Sequence, residues 1–326
     1  MNFNKRLGKI TDNSIFRMNE YFVWCGSIAK DKDDLYYLYF SFWHKSESFD
    51  PGWLTSSKIG YAVSDNPYGG FEFKGVALAG GDGWDASSVH NPAVIEYEGK
   101  YYMYYMGNFG NGEYWSHRNN QRIGVAVAEN PAGPWRRFDK PLIDVSEKGF
   151  DSLMVSNPSV TVGEDGKCYM IYKAVENNGV LPKGGAVVCG IAVASNPLGP
   201  FKKHTEAVLT NPENEWSVED AFIWSENEKF YALAKDFQGY FTKSEKGDIA
   251  LFSSKNAIDW EVANYPIASK KELPFEKGNM PVFRLERPQL YIENGVPKAL
   301  LCACMPDENG EETFNVSIPI LKSRGI

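Results

Sequence analysis

The chain has 326 residues, a formal net charge of −8 and 14% aromatic residues. That length admits two average domains or one large all-β domain, and the acidic balance argues against a nucleic-acid or anionic-membrane surface. Five cysteines with neither zinc-ligand spacing nor the density of a disulfide scaffold read as free core residues. No run of 18 apolar residues occurs, and the opening MNFNKRLGKITDN has no apolar leader core. As given, the chain reads as cytoplasmic; a removed leader would make it periplasmic or secreted.

A strand that starts with polar residues, followed by an apolar or aromatic strand, recurs five times in chain order. VWCGSIA (23–29) precedes YYLYF (36–40), VHNPAVI (89–95) precedes YYMYYM (101–106), and VSNPSV (155–160) precedes CYMIY (168–172). VEDAFIW (218–224) precedes FYALA (230–234), and LERPQL (285–290) precedes KALLC (298–302). A second repeat lies between these copies: KIGYAVSDNP ends at Pro67, RIGVAVAENP at Pro131 and CGIAVASNP at Pro197, spaced 64 and 66 residues apart. A degenerate copy, DIALFSSKN, occupies 248–256. In these turns Pro fixes φ, Asn bonds its own backbone and the following Gly takes the positive-φ position.

Four antiparallel strands per unit, repeated five times in a circle, predict an all-β five-bladed propeller spanning 1–326 as one domain. The last unit shows three evident strands, to Ile320, so the residues before Phe16 are expected to supply the fourth and close the ring.

Superposing the strand starts aligns Cys25, Asn91, Asn157, Asp220 and Arg287, preceded by Trp24, His90, Ser156, Glu219 and Glu286. In a propeller such starts converge on one axial funnel. A Pro after the aligned residue is expected to hold it extended, aiming its side chain inward. Glu219, Glu286, Asp85 and Asp151 are the candidate catalytic carboxylates, since two carboxylates across a cleft are what glycoside hydrolysis requires. Asp85 and Asp151 recur six residues ahead of Asn91 and Asn157, a repetition equally suited to bracing their own loops. Trp24, His90, Asn91, Asn157, Asp220 and Arg287 are candidate substrate-binding residues. His90 alternatively serves as a hydrogen-bonded strand start, and Arg287 suits either a uronic acid or an ion pair with Glu286. Trp43, Trp84, Trp115 and Trp216 offer further ring faces to a sugar, while most other aromatics read as blade packing. Lys173, Lys235 and Asp236, at the far ends of second strands, either line the rim or face water. No cofactor is indicated and no metal-ligand spacing is visible; a single axial cation such as calcium, held by water and carboxylates, stays open.

Over essentially the whole chain, the Asn-Pro strand starts and Asn-Pro-x-Gly-Pro turns resemble the five-bladed propeller glycoside hydrolases of family 43 and its relatives, families 32, 62, 68 and 117. The resemblance implies a glycosidase that removes a terminal sugar from a plant or algal oligo- or polysaccharide. That family uses an Asp base in blade one, an Asp modulator in a middle blade and a Glu acid in a Glu-Gly-Pro motif of blade four. Glu219-Asp220-Ala221 falls where that motif would be, which implies the acid role for Glu219. Asp151 is the nearest middle-blade carboxylate, although Asn157 holds the aligned position. Cys25-Gly26 replaces the blade-one Asp-Pro, leaving Asp85 or Glu286 to act as base. One rival is a glycoside phosphorylase, disfavoured by a funnel expected to be net acidic. The other is a non-catalytic carbohydrate-binding propeller, which the missing blade-one Asp supports and the remaining carboxylates oppose.

Overall fold

The computed structural model describes residues 2–322. Five antiparallel four-stranded sheets follow one another as the repeat predicts. Blade one is Tyr21–Lys30, Tyr36–His44, Lys58–Ser64 and Glu72–Leu78; blade two is Ser88–Tyr97, Lys100–Asn108, Arg122–Ala128 and Arg136–Arg137. Blade three is Met154–Val162, Cys168–Val175, Val187–Ala194 and Lys202–Lys203; blade four is Val218–Glu226, Lys229–Asp236, Ile249–Ser254 and Glu261–Ser269. Blade five joins Arg284–Glu293, Val296–Met305 and Phe314–Pro319 to the N-terminal pair Ile15–Phe16, with Ile15 opposite Val316. The expected closure of the ring is therefore present. A hairpin without counterpart in the repeat, Glu272–Phe275 with Gly278–Pro281, stands between blades four and five.

Inner strands are covered on both faces by neighbouring blades, so Arg122–Ala128 and Val187–Ala194 are almost wholly buried and read as continuous apolar runs. The outermost strand Glu72–Leu78 is largely exposed. The repeated turns do two jobs. Asn66, Asn130 and Asn196 accept from the backbone N–H two residues on, at 2.8–3.0 Å, while Gly133 and Gly199 take φ of 95° and 80°. The turn prolines then latch neighbouring blades: Tyr39 donates to the Pro131 carbonyl (2.7 Å), Tyr104 to Pro197 (2.9 Å) and Ser317 to Pro67 (2.6 Å). All five cysteines are buried and unpaired.

One backbone expectation fails. The residues at the aligned position are not extended; Cys25, Asn91, Asn157, Asp220 and Arg287 have φ of 54°, 56°, 50°, 59° and 56°. Each sits in a β-bulge, where pairing breaks between Trp24 and Ser27, His90 and Ala93, Ser156 and Ser159, Glu219 and Phe222, and Glu286 and Gln289. The inward turn of the strand start at the axis overrides the preference set by a following Pro.

Candidate active site

Each bulge presents two consecutive side chains in different surroundings, and together they make one funnel. The second residue of each pair forms its floor. Cys25 Sγ donates to Asn91 Oδ1 (2.6 Å), Asn91 Nδ2 to Asn157 Oδ1 (2.5 Å), and Asn157 Nδ2 to Asp220 Oδ1 (2.6 Å). This chain crosses four blades. The fifth member, Arg287, is completely buried, and its guanidinium donates to the carbonyls of Asn91 (3.1 Å) and Pro158 (3.2 Å). It lies 3.9 Å from Asp220 Oδ1.

The first residues of the pairs, Trp24, His90, Glu219 and Glu286, line a cavity of about 460 Å³ above that floor. Two ion pairs stand in its wall. Lys173 Nζ is 2.6 Å from Glu219 Oε1, and Lys235 contacts Glu286 Oε1. Each lysine lies on a second strand, one blade ahead of its partner in the chain, opposite Ser156 and Glu219 respectively. Burial disfavours ionised Glu219, yet Lys173, Lys235 and Arg287 outweigh it and hold the carboxyl below its ordinary range. Asp220 moves the other way, raised by burial and by Glu219, with Arg287 opposing. Burial, Arg287 and Lys173 push the His90 ring down to about 3, so it is neutral at pH 7. Its Nδ1 lies 2.8 Å from Ser57 Oγ.

Trp24 and Trp43 of blade one, with Phe49 and Trp53 of the short helix Phe49–Thr55, supply an aromatic wall, and Trp216 lies at the rim. Asp50 accepts from Trp53 Nε1 at 3.1 Å.

The cavity therefore gathers Glu219, Glu286, Trp24, His90, Asn91, Asn157 and Asp220. It does not gather Asp85 or Asp151. Asp85 accepts from Tyr105 (2.9 Å) and Arg137 (3.0 Å), and Asp151 accepts from Tyr172 (3.1 Å) and Lys203 (2.7 Å). Each carboxylate is buried and ties the second strand of its blade to the outermost, which is the bracing role. Arg287 is not in the cavity lining either; sealed under the floor, it cannot reach a sugar, and Glu286 pairs with Lys235 instead. Trp84 stacks on Tyr105, and Trp115 packs against Tyr114 outside the funnel. Asp236, wholly buried, accepts the backbone N–H groups of Tyr240, Phe241 and Thr242.

The Arg287 guanidinium already places a positive charge beside the axial carboxylate, and among the described residues no three His, Cys, Asp or Glu side chains gather as ligands. Asp50, Trp53, Lys246, Lys271 and Arg284 also line the cavity. They come from the short helix, the connections and the start of blade five, where no repeat signals them.

Residues 82–189 match glycosyl hydrolases family 43. A xylosidase/arabinosidase of Bacteroides ovatus is 26% identical over 243 residues, covering 66% of this chain and 67% of that protein. A family 117 glycoside hydrolase of the marine bacterium Zobellia galactanivorans superposes with a TM-score of 0.66 at 19% identity, covering 98% of this chain and 91% of the other. A thermostable family-43 glycoside hydrolase gives 0.66 at 18% identity, covering 94% and 92%.

Proposed function

We propose, from the premise that this chain is a five-bladed propeller glycoside hydrolase similar to family 43 and acting on plant polysaccharide, that it works at chain ends with Glu219 and Glu286 as its carboxylate pair. The sealed floor favours an end over an internal segment: the Cys25–Asn91–Asn157–Asp220 chain and Arg287 beneath it leave a pocket rather than a through-cleft. The terminal ring would pack on the Trp24, Trp43 and Trp53 wall, its hydroxyls meeting Asn91, Asn157 and Asp220 at the foot.

The observation that carries the role assignment is the Lys173–Glu219 contact of 2.6 Å. Family resemblance implies the acid role for Glu219, but a carboxyl held ionised by an ammonium is a poor proton donor. We assign it the ionised role, facing the positive charge that develops at the anomeric carbon or activating the water that attacks it. Glu286 also contacts an ammonium, that of Lys235, but Glu219 answers to three cations, Lys173, Lys235 and Arg287, so we assign Glu286 the proton transfer to the departing oxygen by elimination. Asp220, at the foot of the cavity beside Arg287, binds hydroxyls.

The test uses glycosides with activated and poor leaving groups. Glu286→Gln should lose turnover chiefly for poor leaving groups, which need the proton, whereas Glu219→Gln should lose it for both. The reverse pattern would return the acid role to Glu219.

A further inference from the structure

The two lysine–glutamate pairs neutralise each other, and Asp220 faces Arg287 across the floor. What remains in the funnel lining is uneven. Lys246, Lys271 and Arg284 stand at the mouth with no acidic partner among the described residues, against Asp50 as the one remaining acid of the lining. The funnel is thus net cationic, the opposite of what the sequence led us to expect, in a chain whose formal charge is −8.

Two of these cations are neighbours, and the third lies two residues past Val282, whose N–H donates to the Lys271 carbonyl at 3.0 Å. Lys246 precedes Gly247, and the Lys271 side chain lies over Gly247, its Cδ 3.2 Å from where a Cβ there would stand. Arg284 opens the first strand of blade five and spans Phe49 and Phe283, its Cζ 5.6 Å from each ring. A guanidinium over two aromatic rings retains a fork of N–H donors suited to a planar or tetrahedral anion. Three unpaired cations cost little at a wet rim, but they raise the local potential for an incoming anion and repel none that is neutral.

We infer that the substrate is an acidic glycan: its terminal residue, or the next one, carries a carboxylate or sulfate group that docks on Lys246, Lys271 and Arg284. This inference rests on the glycosidase reading. The anion sits at the mouth while the scissile bond lies deeper, between Glu219 and Glu286, so the cationic cluster acts on binding rather than on the chemical step.

Binding and turnover are therefore measured separately. Oligosaccharides bearing uronate, sulfated galactan oligosaccharides, and neutral arabinan and xylan oligosaccharides are titrated into wild type and into a Lys246→Ala/Lys271→Ala/Arg284→Ala variant, and hydrolysis of each is followed. The inference expects an acidic class to bind best, with KM rising as salt is added. It expects the triple variant to raise KM for that class by about tenfold or more, from lost charge-assisted bonds, with kcat little changed. Uronate and sulfate arms identify which anion is read. Neutral sugars bound and cleaved as well as acidic ones, with the triple variant unaffected, overturn the inference and leave the hydrolase intact. No binding by either acidic class also overturns it. Turnover that requires inorganic phosphate, with the three cations needed for phosphate, overturns it in favour of a phosphorylase. Acidic sugars bound at the cluster but never cleaved keep the inference and remove hydrolysis instead.

Discussion

The Nζ of Lys173, on the second strand of blade three, lies 2.6 Å from Oε1 of Glu219, on the first strand of blade four, so a contact between two repeats sets the charge of the central carboxylate. Replacing Lys173 with Met should raise the Glu219 pKa. If turnover needs ionised Glu219, the acid limb of kcat/KM moves to higher pH, and Lys173→Arg restores part of the shift. A limb that stays put removes the ionised role. The same pair stabilises the fold above the unfolded carboxylate pKa and loses that contribution as pH falls through the lowered folded value. Breaking it should cost up to about 3 kcal/mol, the low end for a buried pair because Glu219 keeps some water.

His90 gives a second pH signature. Its folded value of about 3 lies below the ordinary 6.5, so between those values the unfolded chain binds a proton that the folded chain does not. Stability should fall as pH drops from about 6.5 toward 3, by at most about 1.4 kcal/mol per unit from this ring. Urea midpoints at pH 7 and pH 5 measure it. His90→Gln, which can still bond Ser57, should flatten the slope; an unchanged slope assigns it to other groups.

Asp85→Asn separates bracing from chemistry. The variant weakens the contacts to Tyr105 and Arg137 at 2.9 and 3.0 Å and should destabilise the fold by about 1–3 kcal/mol. The kcat/KM of the folded enzyme should stay near wild type. A folded variant without turnover would falsify the bracing role.

Arg287 supplies the positive charge on the axis. Arg287→Met strips hydrogen bonds from the Asn91 and Pro158 carbonyls and leaves Asp220 without its opposing charge, an expected loss of about 3–5 kcal/mol in thermal or urea unfolding. Incubating wild type with a chelator should leave its melting temperature and turnover unchanged. A drop in either that calcium reverses places a cation in the fold after all.

The fold was legible because its rules are local. The Asn turns, their glycines and the apolar inner strands each announce themselves within one repeat, and the period places the blades. Glu219 and Glu286 were legible as strand starts for the same reason. Asp85 and Asp151 lie outside the cavity because their recurrence reports a need that blades two and three share, a carboxylate tying a strand tyrosine to a cation on the outermost strand. The Lys173–Glu219 and Lys235–Glu286 pairs were illegible because they depend on the offset between neighbouring blades, which no single repeat encodes. Lys246 and Lys271 lie in connections with no periodic signal, and Arg284 just outside the aligned strand start, so only their convergence in space reveals them.

The left-handed backbone at Cys25, Asn91, Asn157, Asp220 and Arg287 limits what this floor can become. Valine, isoleucine and threonine are strained there, whereas asparagine and aspartate adopt the conformation readily. Four of the five residues are accordingly short, the buried Arg287 being the exception, and exchanges between amide and carboxylate need no backbone repair. A carboxylate at position 157 would remove the Nδ2–H that Asn157 donates to Asp220 Oδ1 at 2.6 Å, so the backbone tolerates a change of charge in the floor only where a neighbouring cation, as Arg287 is for Asp220, offsets it.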